Sequence, residues 1–132
     1  MTSRLGIDTS VLVRLTSKDP ERDFQRCVEA LRSLVEDQGS EVFASNQVVG
    51  EAYIALQRHY GISDADARGA LADALTSGLV SPLNGQSVIL ALQTREGPGL
   101  FDRLIADDYS RVVSETLTLD RRMASLPGVR TL

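Results

Sequence analysis

An α/β fold, with a mostly parallel sheet covered by helices on both faces, follows from three features of the sequence. Short apolar strand-like segments alternate with longer stretches of helical periodicity, and such alternation joins parallel strands by helical crossovers. Two of those segments, Arg4–Ile7 and Thr116–Leu119, each run directly into an aspartate, Asp8 and Asp120. The carboxyl ends of parallel strands are where such folds build ligand sites. Finally, 132 residues suffice for one real core, and no repeat, low-complexity tract or linker divides residues 1–132.

Arg4 to Ile7 reads as a strand ending at Asp8, after which Thr9 and Ser10 offer capping hydroxyls to a helix through Val11, Leu12 and Val13. Residues Pro20 to Asp37 form the clearest amphipathic helix. Pro20 suits its first turn, Glu21 and Asp23 favour its start, and Phe24, Cys27, Val28, Leu31, Leu34 and Val35 make one apolar stripe before Gly39. Glu41 to Ala44 reads as the second strand. Ser45 or Asn46 then caps a helix through Val48, Val49, Ala52, Tyr53 and Leu56 that stops at Gly61. Ser63 with Asp66 resembles a capping box for the next helix, closed by Gly78, and Leu79-Val80 reads as a brief strand before Pro82. Helices over Gln86–Arg95 and after Gly99, a strand over Thr116–Leu119, a helical turn over Arg121–Leu126 and a strand over Val129–Leu132 complete the chain.

A formal charge of −4 argues against a protein held on nucleic acid by diffuse basic charge. Local arginines remain available, since Lys18 is the only lysine among 14 basic residues. The single Cys27 excludes an intrachain disulfide and fits a reducing compartment. The lack of a long apolar run makes a membrane span or signal peptide unexpected and a cytoplasmic location expected.

Four acids fall at comparable junctions: Asp8 after a strand, Glu51 early in a helix, Asp102 in the first turn after Gly97-Pro98-Gly99, and Asp120 after a strand. All four can face one edge of the sheet. Two like charges about 4 Å apart repel by roughly 4 kcal/mol at an effective dielectric near 20, so such a quartet calls for protons or a cation to offset the repulsion. Hard oxygen donors select magnesium or manganese, which suit phosphate chemistry. Each acid also has a local reading: Asp8 as a turn residue, Asp102 as a helix-terminus charge, Asp120 as a partner of Arg121 or Arg122. Glu51 reads as an acid at the edge of an apolar face, where it is paired, liganded or costly. Other machinery is sparse. His59 is the only histidine, which rules out a two-histidine ribonuclease mechanism, and no phosphate-binding Gly-Lys loop or Cys-x-x-Cys pair occurs.

The residues Leu5-Gly6-Ile7-Asp8-Thr9-Ser10-Val11-Leu12 resemble the opening strand of PIN-domain nucleases. Val49-Gly50-Glu51-Ala52-Tyr53-Ile54-Ala55-Leu56 resembles their second-acid helix, Phe101-Asp102-Arg103-Leu104-Ile105-Ala106 the third, and Leu117-Thr118-Leu119-Asp120 the fourth-acid strand. Order and spacing are similar to those of the small VapC-type toxins. The resemblance implies a three-layer α/β/α PIN-like fold with a mostly parallel central sheet, and a Mg2+- or Mn2+-dependent endoribonuclease. It further implies RNA as substrate, products with 5′-phosphate and 3′-hydroxyl ends, a cognate VapB-like antitoxin, homodimerisation, and DNA contact only through the antitoxin.

Under this reading Asp8 and Asp102 bind the metal directly, Glu51 and Asp120 directly or through water. Thr9, Ser10 and Thr118 support them by hydrogen bonds, and Arg14, Arg103, Arg121 and Arg122 are candidate phosphate contacts. The chain departs from the family at Asp107-Asp108, where small apolar residues are usual. Asp107 lies about 140° round the helix from Asp102, which favours a solvent-facing or paired acid over a fifth ligand. Two rival readings stand: a PIN-like module that binds RNA or protein without cutting, and a metal-dependent phosphatase on another α/β fold. The second is weakened because position 10, where many aspartyl-phosphate phosphatases carry a second aspartate, is Ser10.

Overall fold

A computed structural model describes residues 2–132. Strand β1 (Arg4–Gly6) leads into helix α1 (Thr9–Ser17), then α2 (Glu21–Arg32), β2 (Glu41–Ala44), α3 (Asn46–Tyr60) and α4 (Asp64–Leu75). A two-residue β3 (Ser81–Pro82), α5 (Gln86–Gln93), α6 (Leu100–Ser110), β4 (Thr116–Thr118), a 3-10 turn (Met123–Ser125) and β5 (Val129–Thr131) follow. Every strand pairing is parallel. The pairings form two hydrogen-bonded groups, β1-β2-β3 and β4-β5, with Gly6 opposite Phe43, Ala44 opposite Pro82 and Thr116 opposite Val129. Helices flank the strands in the three-layer α/β/α organisation the sequence implies.

Local chemistry explains most element boundaries. Asp8 caps α1, Ser45 caps α3 through the Val48 amide, and Ser63 caps α4 through the Asp66 amide. Helix α3 ends with Gly61 at φ 63°, a left-handed conformation that costs glycine little. The amphipathic helix begins beside Pro20 as expected, but is α-helical only to Arg32. Its last turn, Ser33–Asp37, widens to a π-helix before Gly39 at φ 69°.

The third strand lies two residues later than the sequence suggests, at Ser81–Pro82 in place of Leu79-Val80. Proline is tolerated there because β3 is an edge strand. The Leu83 amide donates to the Ala44 carbonyl at 2.8 Å, so along the alternating strand the nitrogen of Pro82 faces the open side. Val80, which the hydropathy pattern drew into a strand, is instead a buried core residue.

The core is continuous. Leu12, Val49, Ala52, Leu56, Leu71, Val88, Leu92, Leu100 and Leu104 pack together from five helices, joined by Leu31 of α2 and by Val42 and Ala44 of β2. Helix α1 lies against α2, α3 and α4, while α6 lies against α3 and α5. Each fully buried leucine contributes roughly 1.5–3 kcal/mol of transfer free energy. That packing fixes α3 beside both α1 and α6, which brings together the segments carrying Asp8, Glu51 and Asp102. No helix among the described residues is long and apolar enough to cross a membrane.

Candidate metal and nucleic-acid site

Asp8 stands two residues beyond β1 as the N-cap of α1. Its Oδ1 accepts from the Ser10 hydroxyl at 2.5 Å and from the Ser10 and Val11 amides at 3.1 and 3.4 Å. The Ser10 hydroxyl, followed by the Val11 amide, holds this carboxyl below the usual aspartate range against a weaker upward push from burial. Asp8 is therefore ionised at neutral pH, and its second oxygen is left to solvent.

Thr9 begins α1 and donates its hydroxyl to Glu51 Oε2 at 2.6 Å, tying the Asp8 turn to α3 across 42 residues. Glu51 is exposed beside the buried Ala52, and the Thr9 hydroxyl is the partner it finds there. Val49 and Ala52 point into the core, and the helix rotates Glu51 outward toward Thr9. One residue earlier, Gly50 meets α6. A Cβ built on it would lie 2.7 Å from the Phe101 ring, so a side chain there would push the ring aside. The ring also sits edge-on to Tyr53 at 6.3 Å between centroids. Phe101 immediately precedes Asp102, which is half-buried in the first turn of α6, where the helix dipole favours negative charge.

Asp120 is exposed two residues beyond β4. Its amide donates to the Thr118 hydroxyl at 3.0 Å, and its Oδ1 accepts from the Arg122 and Met123 amides at 2.8 and 3.4 Å. The Arg122 guanidinium reaches the Gly97 carbonyl at 2.5 Å, in the loop that precedes α6. Direct contacts thus run from the Asp8 turn through Thr9 and Glu51, across Gly50 and Phe101 to Asp102, and through the loop to the Asp120 turn.

The arginines divide. Arg103 donates to the Glu96 and Pro98 carbonyls, Arg122 to Gly97, and Arg14 to the Asp19 carbonyl while lying 3.8 Å from Asp23. Arg121 is exposed and makes no ion pair among the described residues.

The donor chemistry suits a hard divalent ion. No arginine or lysine pairs with Asp8, Glu51, Asp102 or Asp120 among the described residues, and the caps and the Thr9 bond each engage only one carboxylate oxygen. The spatial grouping is looser. Among the described residues, no three His, Cys, Asp or Glu side chains are gathered closely enough to hold a metal ion. A groove of about 410 Å³ between α1, α2 and α4, lined by Leu15, Phe24, Val28, Ala74 and Leu79 among others, contains none of the four acids.

Two polar clusters lie apart from the four acids. Asp107 is only 12% exposed, and its Oδ2 accepts from the Asn46 and Asn84 amides at 2.9 and 3.0 Å while Arg111 lies 3.2 Å from Oδ1. It is the paired acid that its angular offset favours. Its carboxyl is held below the usual range: burial pushes it up, but Ser87, Asn46, Asn84 and Arg111 together outweigh that push. Arg68, 7% exposed, bonds Asp64 and the Ala91 and Thr94 carbonyls, while Tyr53 donates a short hydrogen bond to Asp64. The i,i+4 spacing of Asp64 and Arg68 was the signal for the second cluster. The first carries the same spacing in Asp107 and Arg111, but its Asn46 partner lies 61 positions away and had no signal.

The α/β fold places two acids just past strand ends, one in a first helical turn and one in the body of α3, each with an oxygen free of protein partners. A family model for the PIN domain matches residues 6–129, and the chain belongs to that family. Its members are in general metal-dependent nucleases that bind RNA. Among curated proteins and among solved structures, no match was found.

Proposed function

We propose that residues 1–132 form a single PIN-like domain acting as an endoribonuclease toxin in the cytoplasm, a Mg2+- or Mn2+-dependent hydrolase of RNA phosphodiester bonds. A cognate VapB-like antitoxin neutralises it, the toxin forms a homodimer, and DNA is met only through the antitoxin. The observation that carries this reading is the set Asp8, Glu51, Asp102 and Asp120. They are cation-free, joined by a chain of direct contacts, and borne by a PIN-family chain.

These four carboxylates would hold the metal, which when bound supplies a Lewis acid and an activated water. The chain's own residues prepare them. Ser10 keeps Asp8 ionised, Thr9 orients Glu51, and Thr118 with the Arg122 and Met123 amides orients the Asp120 turn. Arg121 is the arginine left to contact a phosphate. Exposure of Asp8, Glu51 and Asp120 allows their side chains to close on an ion by rotamer change.

Incubating the chain with a structured RNA and Mn2+, and sequencing the product ends, tests the reading. Cleavage with 5′-phosphate ends, relieved by co-expressed antitoxin, is expected. Ends bearing 2′,3′-cyclic phosphate would place the attack on the RNA 2′-hydroxyl and overturn hydrolysis. The ungrouped carboxylates favour a second reading, a PIN module that binds RNA without cutting. It predicts RNA binding with no Mn2+-dependent cleavage.

A further inference from the structure

We propose that Arg122, with Arg103, is a positioning residue that straps the Asp120 turn to the loop in front of Asp102 and so sets the spacing of these two acids. The inference rests on the metal-site reading above. It starts from three consecutive carbonyls. Glu96 O accepts from Arg103 Nη2 at 2.6 Å, Gly97 O from Arg122 Nη2 at 2.5 Å, and Pro98 O from Arg103 Nε at 3.0 Å. No backbone–backbone hydrogen bond outside the regular elements engages residues 95–98 among the described residues. The loop therefore has little of its own to hold it, and the two guanidiniums supply what regular structure does not.

The geometry is specific at both ends. Arg103 directly follows Asp102 and grips the loop from the α6 side. Arg122 gives its backbone amide to Asp120 Oδ1 at 2.8 Å and its guanidinium to Gly97, 25 residues away. One residue thus orients the fourth acid with its main chain and anchors the loop before the third acid with its side chain. Gly97 turns the loop at φ 78°, and a Cβ there would lie 3.3 Å from Arg103 Nη2. The loop is shaped to the clamp. The strap is a role distinct from the phosphate contact that the sequence suggested for Arg103 and Arg122, since it acts on the loop carbonyls and not on substrate.

The test compares wild type with Arg122→Ala and Arg122→Lys, using Mn2+ alone and then Mn2+ with RNA. The metal-free melting temperature, the Mn2+-induced melting shift, the Mn2+ concentration giving half-maximal cleavage, and the RNA KM at saturating Mn2+ are measured. Arg122→Ala is expected to raise the half-maximal Mn2+ concentration tenfold or more and to shrink the Mn2+-induced shift. RNA KM should stay within twofold, and Arg122→Lys, which keeps one donor, should recover part of the loss. Unchanged Mn2+ dependence with a raised RNA KM and a shallower salt dependence would make Arg122 a phosphate contact and overturn the strap. If Arg122→Ala does not fold, Arg122→Lys and Gly97→Ala carry the same readouts, and normal Mn2+ dependence in both overturns it equally. A wild type that neither melts higher in Mn2+ nor cuts RNA overturns the metal-site reading and the strap together. A responsive wild type matched by its variants overturns the strap alone.

Discussion

The carboxylates at the strand ends and those in the body of the fold are treated in opposite ways. Asp107 is almost enclosed, and two asparagine amides and Arg111 satisfy it. Asp64 takes a tyrosine hydroxyl and the buried Arg68. Asp8, Glu51 and Asp120 stand in solvent, each engaged through one oxygen by hydroxyls or amides, and neither they nor Asp102 meet a cation. Asp107 is neutralised because a buried unpaired charge is expensive, and Asp64, itself 42% exposed, answers the buried charge of Arg68. The edge acids are oriented without being neutralised, which leaves their charge available to something outside the protein.

Asp102→Asn should break this contrast most sharply. Cleavage of RNA in Mn2+ should fall at least about a thousandfold, the order expected when an electrostatic group at the reacting centre is lost. The metal-free melting temperature should hold or rise, because a negative charge with no partner has gone. Asp8→Asn should lose cleavage alike, but with a small fall in metal-free melting temperature, because the Ser10 hydroxyl and Val11 amide favour the charged carboxylate even though asparagine also caps helices well. A large drop in metal-free melting temperature for both variants would make them structural acids after all.

The body acid should show the reverse. Asp107→Ala strands the Asn46 and Asn84 amides and Arg111, and should cost about 2–3 kcal/mol in urea unfolding. Stability equal to wild type would show that water replaces those partners at no cost. Magnesium gives a smaller signal: at ten times its dissociation constant it should stabilise wild type by about 1.4 kcal/mol, and Asp102→Asn by much less. Equal shifts in both proteins would place the ion elsewhere.

The smallest effect belongs to Tyr53→Phe, about 1 kcal/mol at neutral pH from the lost hydrogen bond to Asp64. The Tyr53 hydroxyl is the leading cause of the depressed Asp64 carboxyl, ahead of the Arg68 side chain. A depressed aspartate stabilises the fold fully above its unfolded value, near pH 4, and loses that contribution as pH falls through its lower folded value. Removing the hydroxyl brings the two values closer, leaving the downward pull of Arg68. Acid titration of stability below about pH 4 should therefore be shallower in the variant, and an identical acid limb would show that Asp64 relies on Arg68 alone.

Much of this was legible from residue order. Ser45, Ser63 and Gly61 mark helix ends because caps and left-handed turns depend on local chemistry. The stripe from Phe24 to Val35 and the strands ending near Asp8 and Asp120 follow from periodicity, which is equally local. The short β3 was displaced because Leu79-Val80 is apolar for the sake of the core, and apolarity alone does not separate a strand from a buried connection.

What the sequence determined by itself was the fold class and the four junctions at which acids occur, since propensity, capping and periodicity act over a few residues. Only the tertiary structure decided which charges are spoken for. It turned Glu51 outward to Thr9, closed Asp107 within Asn46, Asn84 and Arg111, and spent Arg103 and Arg122 on the carbonyls of one loop. Some of those pairings are local, as between Asp107 and Arg111 or Arg103 and its loop, but the longest span 42 and 61 positions. Partners that distant are chosen by how helices pack, and nothing in the immediate neighbourhood of either residue encodes the choice.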